Sequence, residues 1–203
     1  MKLILASNNR HKLEEIRAIL GDHFSDILSM AEAGIVHETV EDGKTFMENA
    51  VKKAREMAEL SGCCALADDS GLCVDALDGG PGIYSARFSG VHGDDEANND
   101  LLLRKLEGVP DKDRGAHYTC AIALVYPDGK TLTSEGYLYG RIGNERRGTG
   151  GFGYDPLFYL PERGCTTAEL GTEGKNAISH RAQALHALVR QLEGVPDPDT
   201  VTS

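Results

Sequence analysis

Two adjacent aspartates, Asp68 and Asp69, have the residue types and the spacing that most directly suggest chemistry. They follow an apolar run from Cys64 to Ala67, which predicts a buried strand. Carboxylates at the end of a strand commonly face a ligand crevice, and neighbouring negative charges favour a hard cation such as Mg²⁺. Either carboxylate could also take a proton from water. An Asx turn, in which one side chain bonds backbone amides, is the structural alternative.

A polar segment, Ser7-Asn8-Asn9-Arg10-His11-Lys12, lies between a predicted strand from Leu3 to Ala6 and a predicted helix that begins at Arg10 and that Gly21 ends. The free amides at a helix N-terminus and the positive end of its dipole attract phosphate, and Lys12 adds a cation one turn into the helix. Ordinary helix capping beside an exposed lysine is the alternative.

A second helix is predicted from about Thr45 to Leu60, with charged residues before it and within it. Glu41 and Asp42 precede the helix, where acidic side chains complement the helix dipole. Lys53 lies off the apolar stripe of this helix, so a solvated lysine is the simplest interpretation of that residue taken alone.

The glycine-rich segment from Gly148 to Gly153 matches the pattern GxGxxG but does not fit a dinucleotide-binding turn. A charged stretch precedes it where a buried strand is required, and Pro156 follows it where a helix should begin. A loop that a ligand can approach closely is still an open interpretation, and the ring of Phe152 could stack on a base. A plain surface turn is the alternative.

Three basic residues, Lys175, His180 and Arg181, lie near the predicted start of the last helix, which Ser179 could cap. A helix terminus of this kind could face a phosphate or a base. A basic patch on a solvated helix end is the alternative.

The composition narrows the classes of function. The chain has 203 residues and a net charge of −11, so binding to polynucleotides, which depends on many Lys and Arg side chains, is not expected. Five cysteines without a CxxC pair predict free thiols and no zinc site. No apolar run approaches the roughly 20 residues of a membrane span, and the apolar N-terminal stretch is too short for a signal peptide. We therefore expect a soluble protein of the cytoplasm.

Alternating strand and helix patterns predict the α/β class. Beyond the elements above, a helix is predicted over Ala97 to Leu106, and strands over Leu72 to Asp75, His117 to Val125 and Thr131 to Tyr139, the last two joined by a hairpin turn at Pro127-Asp128-Gly129. We expect one domain over residues 1–193 and a disordered tail over residues 194–203, which contain two prolines and few apolar residues.

Six segments, in order and at fitting separations, resemble the inosine triphosphate pyrophosphatase (HAM1-like) family, and the resemblance covers nearly the whole chain. They are Ser7–Lys12, Glu41–Ala50 with Lys53-Ala54, Ala67–Leu72, Pro81–Gly90, Gly150–Pro156 and Ser179–Arg181. Each segment is weak alone, but together they are specific. Many members have a second acidic residue just before the position of Glu41, where this chain has Val40, so that part of the metal role falls to Glu41 alone.

The resemblance implies an elongated mixed sheet flanked by helices, two lobes with a central cleft, a homodimer and a Mg²⁺ cofactor. It implies that Asp69 is the proton acceptor and that Glu41, Asp68 and Asp69 bind the metal. The residues implied to bind the nucleotide are Ser7, Asn8, Asn9, Arg10, His11, Lys12, Lys53, Ser70, Phe152, Gly153, Tyr154, Asp155, Lys175, His180 and Arg181, of which the last three read the base.

The implied activity is hydrolysis of ITP, dITP and XTP to the monophosphate and pyrophosphate, which cleanses the nucleotide pool of deaminated purines. Metal, lysines and helix amides would offset the charge that develops during phosphate transfer. A pyrophosphatase for modified pyrimidine triphosphates and a non-catalytic nucleotide-binding sensor are the alternatives. Neither a polynucleotide nor a membrane is expected as a partner.

Overall fold

A computed structural model describes residues 1–195, in which strands and helices alternate as the sequence predicts. The strands are β1 (Lys2–Leu5), β2 (Asp26–Ser29), β3 (Cys64–Val74), β4 (Gly115–Val125), β5 (Thr131–Ile142), β6 (Phe158–Leu160) and β7 (Cys165–Thr166). The α-helices are α1 (Arg10–Leu20), α2 (Phe46–Ser61), α3 (Asp95–Lys105), α4 (Gly171–Asn176) and α5 (His180–Leu192). Most of the tail predicted over residues 194–203 lies outside the described residues.

The seven strands form one sheet in the order β2-β1-β3-β4-β5-β6-β7. β1 runs parallel to both β2 and β3, whereas β6 is antiparallel to β5 and β7, so the sheet is mixed and the predicted α/β class is confirmed. The amide of Tyr126 donates to the carbonyl of Lys130 at 2.8 Å, which closes the predicted turn between β4 and β5. None of the described helices is long and apolar enough to span a membrane.

The chain divides into two compact units, and each is assembled from separate stretches of sequence. The first unit contains residues 1–69, residues 120–136 and the chain from residue 180 onward, and the second contains residues 70–119 and 137–179. β3, β4 and β5 therefore contribute residues to both units. The cleft expected between two lobes stays a prediction.

In the first unit, alternate side chains of β1, β3 and β4 pack on opposite faces of the sheet. Leu5, Leu66 and Ile122 belong to a core that includes residues of α1 and α5, whereas Ile4 belongs to a core that includes residues of α2. The α2 side consists largely of small residues, which let the helix approach the sheet closely. These residues are Ala50, Ala54, Ala58, Ala65, Ala67, Ala121 and Ala123.

Side chains cap the first turns of α1 and α2, and a glycine ends α2. The side chain of Asn9 accepts a hydrogen bond from the amide of Lys12 at the start of α1, and the side chain of Thr45 caps α2. Gly62 ends α2 with a φ of 64°, a left-handed conformation that glycine adopts without steric cost.

In the second unit, one core is formed by residues of α3 and of the strands, among them Leu102, Tyr118 and Phe158. The buried guanidinium of Arg114 donates to four backbone carbonyls near this core and thereby ties the chain after α3 to the end of β5. Those carbonyls belong to Leu106, Val109, Ile142 and Gly143.

The predicted break between strands Cys64–Ala67 and Leu72–Asp75 is wrong, because β3 continues from Cys64 to Val74. Pairing with β1 ends at Leu66, but the neighbour on the other side, β4, is 11 residues long and β3 continues beside it. Pairing with a neighbouring strand outweighs the low strand propensity of Asp, Ser and Gly. Asp68 and Asp69 thus lie within a strand, which excludes the Asx turn.

The elements that the sequence did not reveal are short: β2, β6, β7 and α4 have 4, 3, 2 and 6 residues. Such lengths hold too few residues for a periodic pattern to be recognised. α3 begins at Asp95, two residues before its predicted start, because Asp94 caps it. All five cysteines are free, as predicted.

We expect Gly136→Ala to destabilise the first unit, because a Cβ at this position of β5 would clash with the carbonyl oxygen of His180 and lie 2.5 Å from the amide nitrogen of Ala184. Forcing atoms into such contact costs about 1–3 kcal/mol. Urea unfolding measures the loss. Thr133→Ala, at an exposed position of the same strand, should change the free energy of unfolding by less than about 0.5 kcal/mol. Equal effects of the two substitutions would contradict this close packing.

Candidate active site

Asp68 and Asp69 lie where β3 extends past Leu66, the last residue that pairs with β1. Successive residues of a strand point to opposite faces, so Asp68 meets side chains of α1 and α5, whereas Asp69 meets side chains of α2. Each carboxylate therefore has its own cationic partners. Because the two side chains point to opposite faces of β3, the adjacent aspartates do not crowd negative charge at one place, as their sequence positions had suggested.

Asp68 is only 3% exposed and binds two cations. Its Oδ1 accepts from Lys12 Nζ at 2.9 Å, and its Oδ2 accepts from Arg181 Nε at 3.1 Å. Burial alone would raise the pKa of Asp68, but Lys12 and Arg181 outweigh burial and lower it far below its ordinary value. Asp68 is therefore an ionised carboxylate locked between α1 and α5.

Arg181 is also buried, with 6% of its surface exposed, and it joins two carboxylates. Besides its bond to Asp68, its Nη1 donates to Glu15 Oε2 at 3.1 Å. Burial works against the charge of Arg181, but Asp68 and Glu15 raise its pKa well above the ordinary value. The guanidinium thus connects α5 to both α1 and β3.

Asp69 is held from the α2 side by an amide and an ammonium group. Its Oδ2 accepts from Asn49 Nδ2 and its Oδ1 accepts from Lys53 Nζ, each at 3.1 Å. Lys53 Nζ also donates to Glu41 Oε1 at 3.0 Å, so one ammonium joins two carboxylates.

The two partners Asp69 and Lys53 both have shifted pKa values. Burial, together with the negative charge of Glu41, raises the pKa of Asp69 despite the opposing charge of Lys53. Burial alone would lower the pKa of Lys53, but Asp69 and Glu41 outweigh it and raise the pKa. A carboxylate whose affinity for protons is increased in this way suits a proton acceptor.

The segment that carries Glu41 has no regular structure and is fastened to α2 on both sides of that residue. Lys52 Nζ donates to the carbonyl of Val40 at 2.7 Å and to Asp42 Oδ1 at 2.6 Å. The amide of Gly43 donates to Asn49 Oδ1 at 2.9 Å.

Sequence reasoning missed the supporting roles of Asn49 and Lys52. A signal was present for Asn49, because it lies four residues before Lys53 and thus on the same face of α2. No comparable pattern marks Lys52, whose partners lie in an irregular segment.

The N-terminus of α1 presents polar groups and has no acidic residue in its first turn, so the positive end of the helix dipole is not offset by a carboxylate of that turn. Ser7 Oγ accepts from the amide of Asn9 at 3.1 Å, and Asn8 Oδ1 accepts from the amide of Ala31 at 2.8 Å. His11 is exposed, and Arg10, also exposed, pairs with Glu14.

In the second unit, the glycine-rich loop presents an aromatic ring beside a cation. Phe152 is 56% exposed, and Lys175 Nζ lies 4.1 Å from the centroid of its ring. Asp155 is 1% exposed and accepts from the amide of Phe152 at 2.9 Å, from Lys175 Nζ and from the hydroxyl of Thr167 at 3.0 Å. The Asp155 carboxylate therefore holds the ring and the cation together from inside the unit.

The predicted site residues fall into two groups, one in each unit. The first unit holds Ser7 to Lys12, Glu41, Lys53, Asp68, Asp69, His180 and Arg181. The second unit holds Ser70, Phe152, Gly153, Tyr154, Asp155 and Lys175. Of the three residues predicted to read the base, Lys175 thus belongs to the second unit and His180 and Arg181 to the first. Tyr154 is buried and donates its hydroxyl hydrogen to the carbonyl of Ser85 at 2.8 Å, whereas Ser70 is half-buried.

We expect Arg181→Ala to destabilise the protein by about 3–5 kcal/mol, because it removes one partner of a buried carboxylate and leaves Asp68 incompletely compensated. Chemical denaturation measures the change. Arg10→Ala, which removes an exposed ion pair with Glu14, is the matched control and should cost at most about 1 kcal/mol. A stable Arg181→Ala protein would show that the Asp68 ion pairs contribute little to the fold.

Residues 3–191 match the model of the Ham1 family. The chain is 54% identical over 187 residues to the dITP/XTP pyrophosphatase of Geobacter sulfurreducens, with 92% of this chain and 94% of the relative covered. It is 50% identical over 200 residues to the dITP/XTP pyrophosphatase of Clostridium perfringens, with 96% of this chain and 98% of the relative covered.

Two solved structures have the same fold over almost their whole length. The Ham1 protein of Staphylococcus aureus superposes with a TM-score of 0.88 at 40% identity, covering 96% of this chain and 99% of that one. A HAM1 protein from Coxiella burnetii gives a TM-score of 0.88 at 41% identity, covering 96% and 100%. Sequence, fold and the paired carboxylates of β3 lead to one conclusion: the chain belongs to the Ham1 family.

Proposed function

We propose that this protein is a nucleoside triphosphate pyrophosphatase that hydrolyses ITP, dITP and XTP to the monophosphate and pyrophosphate. The observation that carries the proposal is the arrangement around Asp69, a carboxylate with a raised pKa that is held by Lys53 and Asn49. The relatives named dITP/XTP pyrophosphatase, about half identical to this chain over nearly its full length, support the choice of substrate.

The N-terminus of α1 is suited to the triphosphate. Its free amides and the positive end of its dipole attract phosphate oxygens, and the segment from Ser7 to Lys12 surrounds it with polar and basic groups. Lys12, bound to Asp68, can also donate to a phosphate because an ammonium group has three donor hydrogens.

Glu41 and Asp69 are suited to hold Mg²⁺. Their carboxylates already share one cation, Lys53 Nζ, and Mg²⁺ is usually bound by one or two protein carboxylates together with substrate phosphates. Among residues 1–195, no group of three or more His, Cys, Asp and Glu side chains is arranged to hold a metal, so the proposed site rests on Glu41 and Asp69. Bound Mg²⁺ would neutralise charge on the triphosphate and on the departing pyrophosphate.

The metal role expected of Asp68 stays a prediction. Its charge is already offset by two cationic side chains, Lys12 and Arg181, and it is almost fully buried, so it has less charge to offer a metal than Asp69 has. We propose instead that Asp68 acts through Lys12, by holding that ammonium group at the first turn of α1.

Asp69 is proposed to take a proton from the attacking water. The water oxygen forms a bond to the α-phosphorus, the bond to the bridging oxygen of the β-phosphate breaks, and pyrophosphate leaves with that oxygen. Asn49 and Lys53 fix the orientation of the carboxylate, and Lys53 adds positive charge where negative charge develops.

The second unit is proposed to contact the base. The exposed ring of Phe152 offers a stacking surface, and the ammonium of Lys175 offers donor hydrogens to a 6-oxo group, which adenine lacks. Contacts of His180 and Arg181 with the base stay predictions, and two nitrogens of Arg181 are already bound to carboxylates. The homodimer and the cytoplasmic location implied by the family resemblance are also proposals.

We expect Asp69→Asn to lower turnover of dITP and XTP by at least about 100-fold with the fold retained, because the amide keeps the shape of the side chain but cannot take the proton. Release of pyrophosphate from a panel of purine and pyrimidine triphosphates measures the activity. Asp22→Asn, in an exposed turn after α1, is the control and should match the parent protein. Near-normal turnover by folded Asp69→Asn protein would remove Asp69 from the mechanism. If the parent protein hydrolysed modified pyrimidine triphosphates as fast as dITP and XTP, the pyrimidine triphosphate pyrophosphatase would be favoured. If it hydrolysed none of the substrates, the non-catalytic nucleotide-binding sensor would be favoured.

We expect activity to be lost on chelation of divalent cations and restored by Mg²⁺. Glu41→Gln should raise the Mg²⁺ concentration for half-maximal activity by about tenfold or more, because it removes one of two anionic ligands. Glu38→Gln, an exposed neighbour in the same segment, should leave that concentration unchanged. Titration of Mn²⁺ binding to the substrate-free proteins gives a readout independent of turnover. Full activity after exhaustive chelation would contradict the metal site.

A further inference from the structure

The backbone N–H and C=O groups of Gly153 both form hydrogen bonds with side chains of α3, within the second unit. Its amide donates to Asp95 Oδ2 at 2.7 Å, and its carbonyl accepts from Asn99 Nδ2 at 2.9 Å. Asp95 and Asn99 are four residues apart and therefore lie on the same face of the helix. Both polar groups of one loop residue are thus bound by a single helix.

The loop needs such a restraint because three of its four residues from Gly150 to Gly153 are glycines. Glycine gives up more conformational freedom on ordering than other residues do, and Gly153 has a φ of 60°. The remaining residue of the four is Phe152, whose ring is mostly exposed and contacts Lys175. The position of the ring therefore depends on how firmly the backbone beside it is held.

Asn99 is an unusual choice for a helix position with 1% exposure. The Asn99 Nδ2 group donates to the carbonyl of Gly153, whereas Asn99 Oδ1 is buried and has no hydrogen-bond partner among residues 1–195. Burying this amide therefore has a cost that only the bond to Gly153 offsets. Leucine would fill this interior position of α3 without burying a polar group. The presence of asparagine here therefore indicates that its hydrogen bond to the loop matters, and not only its packing.

We infer that Asp95 and Asn99 are positioning residues that hold Phe152 and Lys175 in place for the base of the nucleotide. The inference rests on the proposed function for the role of Phe152 and Lys175. The path is short: α3 holds Gly153, Gly153 is bonded to Phe152, and Asp155 binds both the Phe152 amide and Lys175. Neither Asp95 nor Asn99 needs to touch the substrate.

Without the restraint from α3, the loop must become ordered when the nucleotide binds. Removing the restraint should therefore weaken substrate binding and leave the chemical step unchanged. Asp95→Ala and Asn99→Ala should raise the KM for dITP by about three- to tenfold and leave kcat within about twofold. This rise in KM corresponds to the cost of ordering one or two additional side chains on binding. Inhibition by inorganic pyrophosphate, which has no base, should be unchanged.

Two variants control for structural damage. Asp95→Asn keeps an oxygen that accepts from the Gly153 amide and should behave like the parent protein. Asp94→Ala removes the N-cap bond to Ala97 at 3.0 Å, which weakens the same end of α3 without touching Gly153, and should leave KM unchanged. If Asn99→Ala does not fold, Asn99→Asp replaces the donor by an acceptor at almost equal volume.

Hydrogen exchange of residues 150–155 without substrate separates this inference from the proposed function. The Asp95 and Asn99 variants should exchange about tenfold faster than the parent protein and Asp94→Ala. Unchanged exchange, a fall in kcat equal for all substrates, or the same rise in KM in Asp94→Ala would overturn the inference. A parent protein that hydrolyses none of the triphosphates would refute the proposed function, while the exchange rates would still decide whether α3 holds the loop.

Discussion

Successive side chains of β3 point to opposite faces of the sheet, and this alternation assigns two neighbouring carboxylates to different helices. Asp68 is bound by cationic side chains of α1 and α5 and stays ionised in the interior, whereas Asp69 is bound by side chains of α2 and has a raised pKa. Two residues of one type, adjacent in sequence, thereby acquire different chemistry. A shift of the strand by one residue would exchange their surroundings and leave neither with its partners.

The second unit uses a carboxylate in another way. Asp155 lies inside the unit and binds the backbone and side chains around it, so that the groups presented at the surface are the Phe152 ring and Lys175. Buried carboxylates, Asp68 and Asp155, thus position other groups in both units, and Asp69 differs from Asp68 in that its pKa is raised. The division agrees with the proposed roles of the two units: acids and lysines are proposed to act on the phosphates, and the loop that contains Phe152 is proposed to contact the base.

The sequence predicted the longer helices because apolar residues at helical spacing mark them. The helix ends are also set locally, as Thr45 and Gly62 contact their own neighbours in sequence at the two ends of α2. β3 was misjudged because its continuity depends on a neighbouring strand rather than on its own residues. The family motif pointed to Asp69 as the proton acceptor, a role that stays a prediction. The Arg181 to Asp68 bond joins residues 113 positions apart, and no local pattern indicates it. Asn99 escaped notice for the same reason, since its partner lies in a distant loop.

The network that joins Glu15, Arg181, Asp68 and Lys12 has a consequence for the response to ionic strength. Mobile ions screen exposed charges over about 10 Å at 0.1 M salt, but they screen buried pairs much less. The chain carries a net charge of −11, so its surface repels itself most strongly in dilute buffer. Added salt therefore relieves the repulsion at the surface, while the interior ion pairs keep most of their strength.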